Sequence, residues 1–158
     1  MAKQIEVTKI FNASVDMVWQ VWVDPELVKR WWGPKDFISP VANIDFREGG
    51  KSLVSMRAPK EMGEKEWYSI WEYVKIIPFE KIEFIQNLAD KDGNKTEPTN
   101  VGMPADFPTD IRTVIVFKAL GEDSTEMTVT EYAEFGSMSH FAQLGLEQSM
   151  QKVAAIFK

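Results

Sequence analysis

The chain has 158 residues and a formal charge of −6, with 44% hydrophobic and 12% aromatic residues and no cysteine. That length suits a single domain over residues 1–158, and the apolar content is enough for a sizeable core, which argues against disorder. The missing cysteines exclude disulfides, zinc–thiolate centres and thiol catalysis, and the acidic balance argues against a nucleic-acid partner, whose phosphates are held by Lys and Arg.

The first predicted element is a strand over KQIEVTKIF, with Ile5, Val7 and Lys9 on one face and Glu6, Thr8 and Ile10 on the other. The segment MAKQIEVTKIF is too polar for a signal peptide, and no apolar run approaches about 18 residues. The expectation is a soluble, cytoplasmic protein without membrane insertion. Ser14 stands at an N-cap position and opens a helix in which Val15, Val18, Trp19 and Trp22 recur at helical spacing. DPEL starts a second helix, with Asp24 as cap and Pro25 at the first helical position, and Gly33-Pro34 ends it. Trp31 and Trp32 then lie on its last turn. Adjacent helical residues do not face the same way, so one ring is expected in the core and the other, with Phe37, at a pocket mouth.

Strands follow. Ala42, Ile44 and Phe46 alternate with Val41, Asn43 and Asp45, REGG makes a tight turn, and SLVSMRA places Val54 and Met56 on one face. PKEMGEKE reads as a polar hairpin loop, and residues 67–77 as a strand rich in β-branched and aromatic side chains that Pro78 ends. EKIEFIQNL puts Ile82, Phe84 and Leu88 on one face; IRTVIVFKAL and EMTVTEYAEF are two more strands joined by GEDS. Between EKIEFIQNL and IRTVIVFKAL, residues 89–109 hold three prolines and two glycines, a connection long enough to predict a mobile flap. The last segment, SMSHFAQLGLEQSMQKVAAIF, carries Ala142, Leu146, Met150, Val153 and Phe157 at helical spacing, a helix of about 20 residues and about 30 Å. This order suits a curved antiparallel sheet wrapped around the last helix, with an interior pocket where the two do not fill the space between them.

Four stretches in order, DPELVKRWWGPKDF, IDFREGGKSLVSMRAP, IIPFEKIEF and STEMTVTEY, resemble the helix-grip (START-like, SRPBCC) superfamily, in the branch named after the C-terminal domain of the activator of the Hsp90 ATPase. Trp32, Gly33 and Pro34 match its first motif; Asp45, Arg47, Gly49 and Gly50 its second; Pro78, Glu80 and Ile82 its third. The resemblance spans nearly the whole chain. It implies an α+β helix-grip fold: about six to seven antiparallel strands wrapped around a long C-terminal helix, with two short helices after the first strand. It also implies that Trp32 is the structural member of the Trp pair. The chain departs from the branch in its long 89–109 connection and in Gly145-Leu146, where many members carry Gly-Trp.

No catalytic or metal site stands out, and no cofactor is expected. Asp90, Asp92 and Asn94 have the start of a calcium loop, but the sharp-turn position is Lys95 and the twelfth is Val101, so a solvated Asp-Gly turn is the simpler reading. His140, the single histidine, has no second His or Cys to join it; it is a candidate general base or, more simply, a helix surface residue. Gly49-Gly50 lacks the strand–helix context of a phosphate loop and reads as a turn. Asp45 and Arg47 either tie that turn to its neighbour or orient a ligand carboxylate. The collective signal is aromatic. An apolar-ligand pocket is predicted from Trp31, Phe37, Met56, Trp71, Phe84, Phe117 and Phe141, with Gly145 leaving room on the covering helix. Three functions follow. The first is binding of a small apolar or amphipathic molecule. The second is a protein-partner module with a place in stress responses, implied by the resemblance; a homodimer is compatible with it. The third is an enzyme, such as a cyclase, dehydratase or hydrolase of an aromatic polyketide-like ligand, which a Glu, Arg or His buried in the pocket would favour.

Overall fold

Alternation and capping place the elements largely where elementary rules put them. The computed structural model describes residues 4–158. Strand β1 (Ile5–Phe11) buries Ile5 and Phe11 and exposes Glu6, Thr8 and Ile10, as a half-buried strand should. Helix α1 (Val15–Val23) follows Ser14, which sits at the N-cap without a side-chain cap bond. Helix α2 (Pro25–Trp31) is capped as expected: the Asp24 carboxylate accepts from the Glu26 N–H at 2.9 Å, and Pro25 opens the first turn.

Strands β2 (Ala42–Asn43), β3 (Lys51–Arg57), β4 (Glu66–Ile77), β5 (Lys81–Ala89), β6 (Ile111–Gly121) and β7 (Ser124–Tyr132) form one antiparallel meander, which β1 completes by pairing with β7. The sheet order is β1-β7-β6-β5-β4-β3-β2, seven strands in all. Helix α3 (Ser139–Ile156) follows a 3-10 turn at Gly136–Met138. The fold is the α+β architecture expected, and no helix among the described residues is long and apolar enough to cross a membrane. Two boundaries differ from the sequence reading. The strand expected over 41–46 keeps only two paired residues, because past Asn43 the chain leaves β3 to build the turn that holds Arg47. β7 ends at Tyr132, one residue past the Glu131–Ile5 pair that closes the register with β1.

Helix α3 is packed unevenly. Ser149, Met150 and Val153 are buried, whereas Ser139, His140, Phe141 and Leu144 are exposed. The main core lies under α1, α2 and the C-terminal half of α3, around Trp19, Trp22, Trp31, Trp71, Phe84 and Phe117. A smaller cluster of Ile5, Ile111 and Phe135 lies under the N-terminal half. The space between the two clusters is not filled.

The Asp45–Gly50 turn is architectural. Gly49 N–H donates to the Tyr73 carbonyl at 2.9 Å, Tyr73 N–H donates to that of Gly50 at 3.0 Å, and Gly50 N–H donates to that of Arg47 at 2.8 Å. Arg47 and Asp45 pair at 2.9 Å on the surface, where such a pair adds little stability. Only Gly49 has a positive φ, of 85°. Gly50 is required for a different reason, since a Cβ there would collide with the backbone oxygen of Asp45. Gly50→Ala is therefore expected to lower unfolding stability by about 1–3 kcal/mol. Gly121→Ala, where nothing lies within 4 Å of the added carbon, should change it little. Urea denaturation of both variants checks the contrast.

Candidate functional site

The gap between the two clusters is a cavity of about 670 Å³, within the range of small-molecule sites. Four parts of the chain build it. The sheet supplies the floor: by strand parity Met56 on β3, Trp67 and Ser69 on β4, Phe84, Gln86 and Leu88 on β5, Thr113 on β6, and Val129 and Glu131 on β7 share its inner face. The roof is the N-terminal half of α3, through Phe141, Ala142, Gly145 and Leu146.

One side wall is the loop from Trp31 to Phe37. It is fastened to the other half of α3: Ser149 Oγ donates to the Gly33 carbonyl at 2.9 Å, Lys35 N–H donates to Gln148 Oε1 at 3.0 Å, and Lys152 Nζ donates to the Phe37 carbonyl at 3.0 Å. Burial lowers the pKa of that lysine. Gly33, at φ 109°, lets the chain turn into this position. The opposite wall is the 89–109 connection. Far from free, it is pinned at both sides. Its 3-10 turn (Pro98–Val101) offers the Val101 carbonyl to Lys65 Nζ at 2.6 Å and to Trp67 Nε1 at 3.1 Å. Further on, the Asp106 carboxylate accepts from Ser137 N–H and Oγ at 2.8 and 2.9 Å, which lowers its pKa. Met103, Pro104 and Phe107 thereby face the cavity. The expected flap is a hydrogen-bonded strap. Asp90, weighed as a calcium ligand, accepts N–H bonds from Asp92 and Asn94 within its own turn.

Of the residues predicted to line the pocket, Trp31, Phe37, Met56, Phe84, Phe141 and Gly145 do so. Trp71 and Phe117 do not. Trp71 is stacked on Phe84 at 4.9 Å and covered edge-on by Trp32 at 5.1 Å. Phe117 packs against Trp19 of α1 at 5.1 Å, within the main core. The tryptophan pair also departs from the expectation. Trp31 is the core member, fully buried with Nε1 donating to the Val21 carbonyl at 2.7 Å. Trp32 is the C-cap residue, in extended conformation (φ −66°, ψ 124°), and this turns its partly exposed ring onto the cavity wall. A Cβ at Gly145 would lie 3.8 Å from Pro34, which lines the cavity beside it. Asp45, Arg47, Gly49, Gly50 and His140 are not part of the wall.

The sequence reading passed over Glu131. It lies on β7 two residues beyond Val129 and four beyond Met127, so the period of two that puts those side chains inside puts Glu131 inside as well. It stands opposite Thr113 on one side and Ile5 on the other. Among the described residues, no hydrogen bond or ion pair engages its carboxyl, and the surface it retains faces the cavity. Burial alone pushes its pKa from 4.5 to about 7. A carboxyl whose folded pKa is raised holds its proton more tightly when folded. Stability is then fullest below about pH 4.5 and declines as pH rises through about 7, by up to about 3 kcal/mol. Glu131→Gln should remove the decline: the variant should gain on the wild type between about pH 4.5 and pH 8 and converge with it below, in thermal unfolding followed across pH.

Comparison with solved structures gives many proteins of this shape. A protein from Arthrobacter aurescens superposes with a TM-score of 0.81 at 22% identity, covering 99% of this chain and 86% of the other. One from Chromobacterium violaceum gives 0.78 at 19% identity, covering 98% and 96%. The AHSA1 protein from Silicibacter pomeroyi gives 0.74 at 16% identity, covering 97% and 96%. At these identities the likeness speaks for the fold. No curated protein matches the chain. The family model described as Activator of Hsp90 ATPase homolog 1-like protein matches residues 12–158. With nearly the whole chain matched, the protein belongs to the Activator of Hsp90 ATPase homolog 1-like family.

Proposed function

We propose that the protein binds a small amphipathic molecule between the sheet and the N-terminal half of α3, as a binding module of the cytoplasm. The carrying observation is the cavity of about 670 Å³, walled by Trp32, Trp67, Phe84 and Met103 where a packed core would otherwise stand. Interiors are close-packed, with few voids larger than a water molecule, so a space of this size stands out as one the fold keeps open. The entrance is apolar too: Met62, Phe141 and Leu144 are exposed at 61%, 62% and 39% on its rim. Such a rim suits the tail of an amphipathic ligand entering from water.

Glu131 favours catalysis as the second reading, since a lone carboxyl with a pKa of about 7 has the poise of a general acid or base. Among the described residues, however, no histidine, arginine or second carboxylate lines the cavity with it. Binding needs only what is there. A protein partner seated on the Met62–Phe141–Leu144 rim would leave the interior empty, and so separates from both readings by experiment.

Gly145→Leu narrows the cavity from the roof. Helix α3 gains a better helix former and the added Cβ would make ordinary van der Waals contact with Pro34 at 3.8 Å, so the melting temperature should hold. Affinity for a hydrophobic probe such as decylamine, followed by tryptophan fluorescence, should fall about tenfold or more, with Gly145→Ala close to wild type. Unchanged probe affinity in the leucine variant would move the ligand out of the cavity.

A further inference from the structure

We infer that the head group of the ligand is a primary ammonium, held at the carboxylate of Glu131 on the cavity floor. This deepens the reading of the cavity as a ligand site and rests on it. The first ground is an unmet partner. Of the residues lining the cavity, Glu131 and Lys35 are the charged ones among those described. Lys35 is exposed at the mouth, on the loop that α3 clasps. Among the described residues, the other charges around β7 are engaged, exposed or displaced along the strands. Arg112 is paired with Glu83 at 3.0 Å on the outer face of the sheet. Glu6 lies on the outer face of β1, and Lys9 stands opposite Met127, not Glu131. On α3, His140 and Glu147 are exposed, and Asp106 of the strap is bound to Ser137. A carboxylate without a cation inside an apolar wall is costly, and a ligand cation removes that cost.

The second ground is the set of acceptors beside it. Thr113, directly opposite Glu131 on β6, donates its hydroxyl proton to the Ile111 carbonyl at 3.3 Å and keeps lone pairs free to accept. Gln86, one strand further and opposite Ile111, also lines the cavity. An ammonium has three N–H donors and no acceptor. A carboxylate, a hydroxyl oxygen and an amide oxygen on adjacent strands supply what it needs. The third ground is the wall itself: Trp32, Trp67 and Phe84 line it with aromatic rings, and Lys65 Nζ stands 5.1 Å over the Trp67 ring, the attraction that such rings show for cations and not for anions. The chain's charge of −6 favours the approach of cations from a distance.

With burial holding the Glu131 carboxyl at about 7, the site is charged only in part at neutral pH, and its preference must grow as pH rises. The test uses decylamine, 1-decanol and decanoic acid, three probes sharing one chain, titrated into wild type and Glu131→Gln with tryptophan fluorescence as the readout. In wild type at about pH 8 the amine is expected to bind at least about tenfold tighter than the alcohol, with the acid weakest. The amine-to-alcohol ratio should collapse toward one in Glu131→Gln, and in wild type at about pH 5. Equal binding of amine and alcohol by wild type at both pH values overturns the inference and leaves the cavity reading standing. Failure of all three probes to bind overturns the cavity reading, and this inference with it. Should Glu131→Gln not fold, the wild-type pH profile decides alone: a ratio that does not change with pH contradicts the role of Glu131.

Discussion

Everything about this site depends on helix α3 being held at one end. Its C-terminal half buries Met150 and Val153 in the main core, and Gln148, Ser149 and Lys152 clasp three backbone groups of the Trp31–Phe37 loop. These bonds satisfy polar groups that would otherwise be stranded at a buried loop. They also fix the height at which the helix crosses the sheet. Its N-terminal half then spans a floor that curves away beneath it. A single straight helix cannot follow a twisted sheet along its whole length, and a helix firmly seated at one end leaves a gap at the other.

The gap persists because its walls are tied to other parts of the fold. The strap across residues 89–109 is secured through Val101 to Lys65 and Trp67, and through Asp106 to Ser137. The indole of Trp31 is locked by its bond to Val21, and Trp32 is braced against Trp71. None of these groups can collapse inward without breaking a hydrogen bond or an aromatic contact. A cavity kept open in this way can hold a ligand without first paying to rearrange.

Much of the frame was legible in the sequence because its signals are local. Asp24-Pro25 and Gly33-Pro34 bracket α2 by capping chemistry alone, and the alternation in β1 and β7 gives their inward faces. What resisted reading was set by tertiary placement. Parity puts Trp71 and Phe117 inside, but only the arrangement of α1 and α2 decides that they are covered there and not by α3. The order within the Trp pair turned on the C-cap geometry of Trp32, which no spacing rule contains. The second glycine of the Gly49-Gly50 turn is needed for the closeness of Asp45, not for its own dihedral angles. Glu131 is the opposite case: the period of two that identified Met127 and Val129 extends to it, and the carboxyl was overlooked because an acidic residue near a strand end reads as surface.

The central claim is that a small molecule sits between the sheet floor and the N-terminal half of α3. The most direct measurement is a proton–nitrogen NMR titration with decylamine that follows the six tryptophan indole N–H signals. The account predicts that Trp32 and Trp67, whose rings line the cavity, shift strongly and saturate together, while Trp19, packed under α1 against Phe117, stays in place. Shifts that spare Trp32 and Trp67, or that rise without saturating across all six, would contradict it.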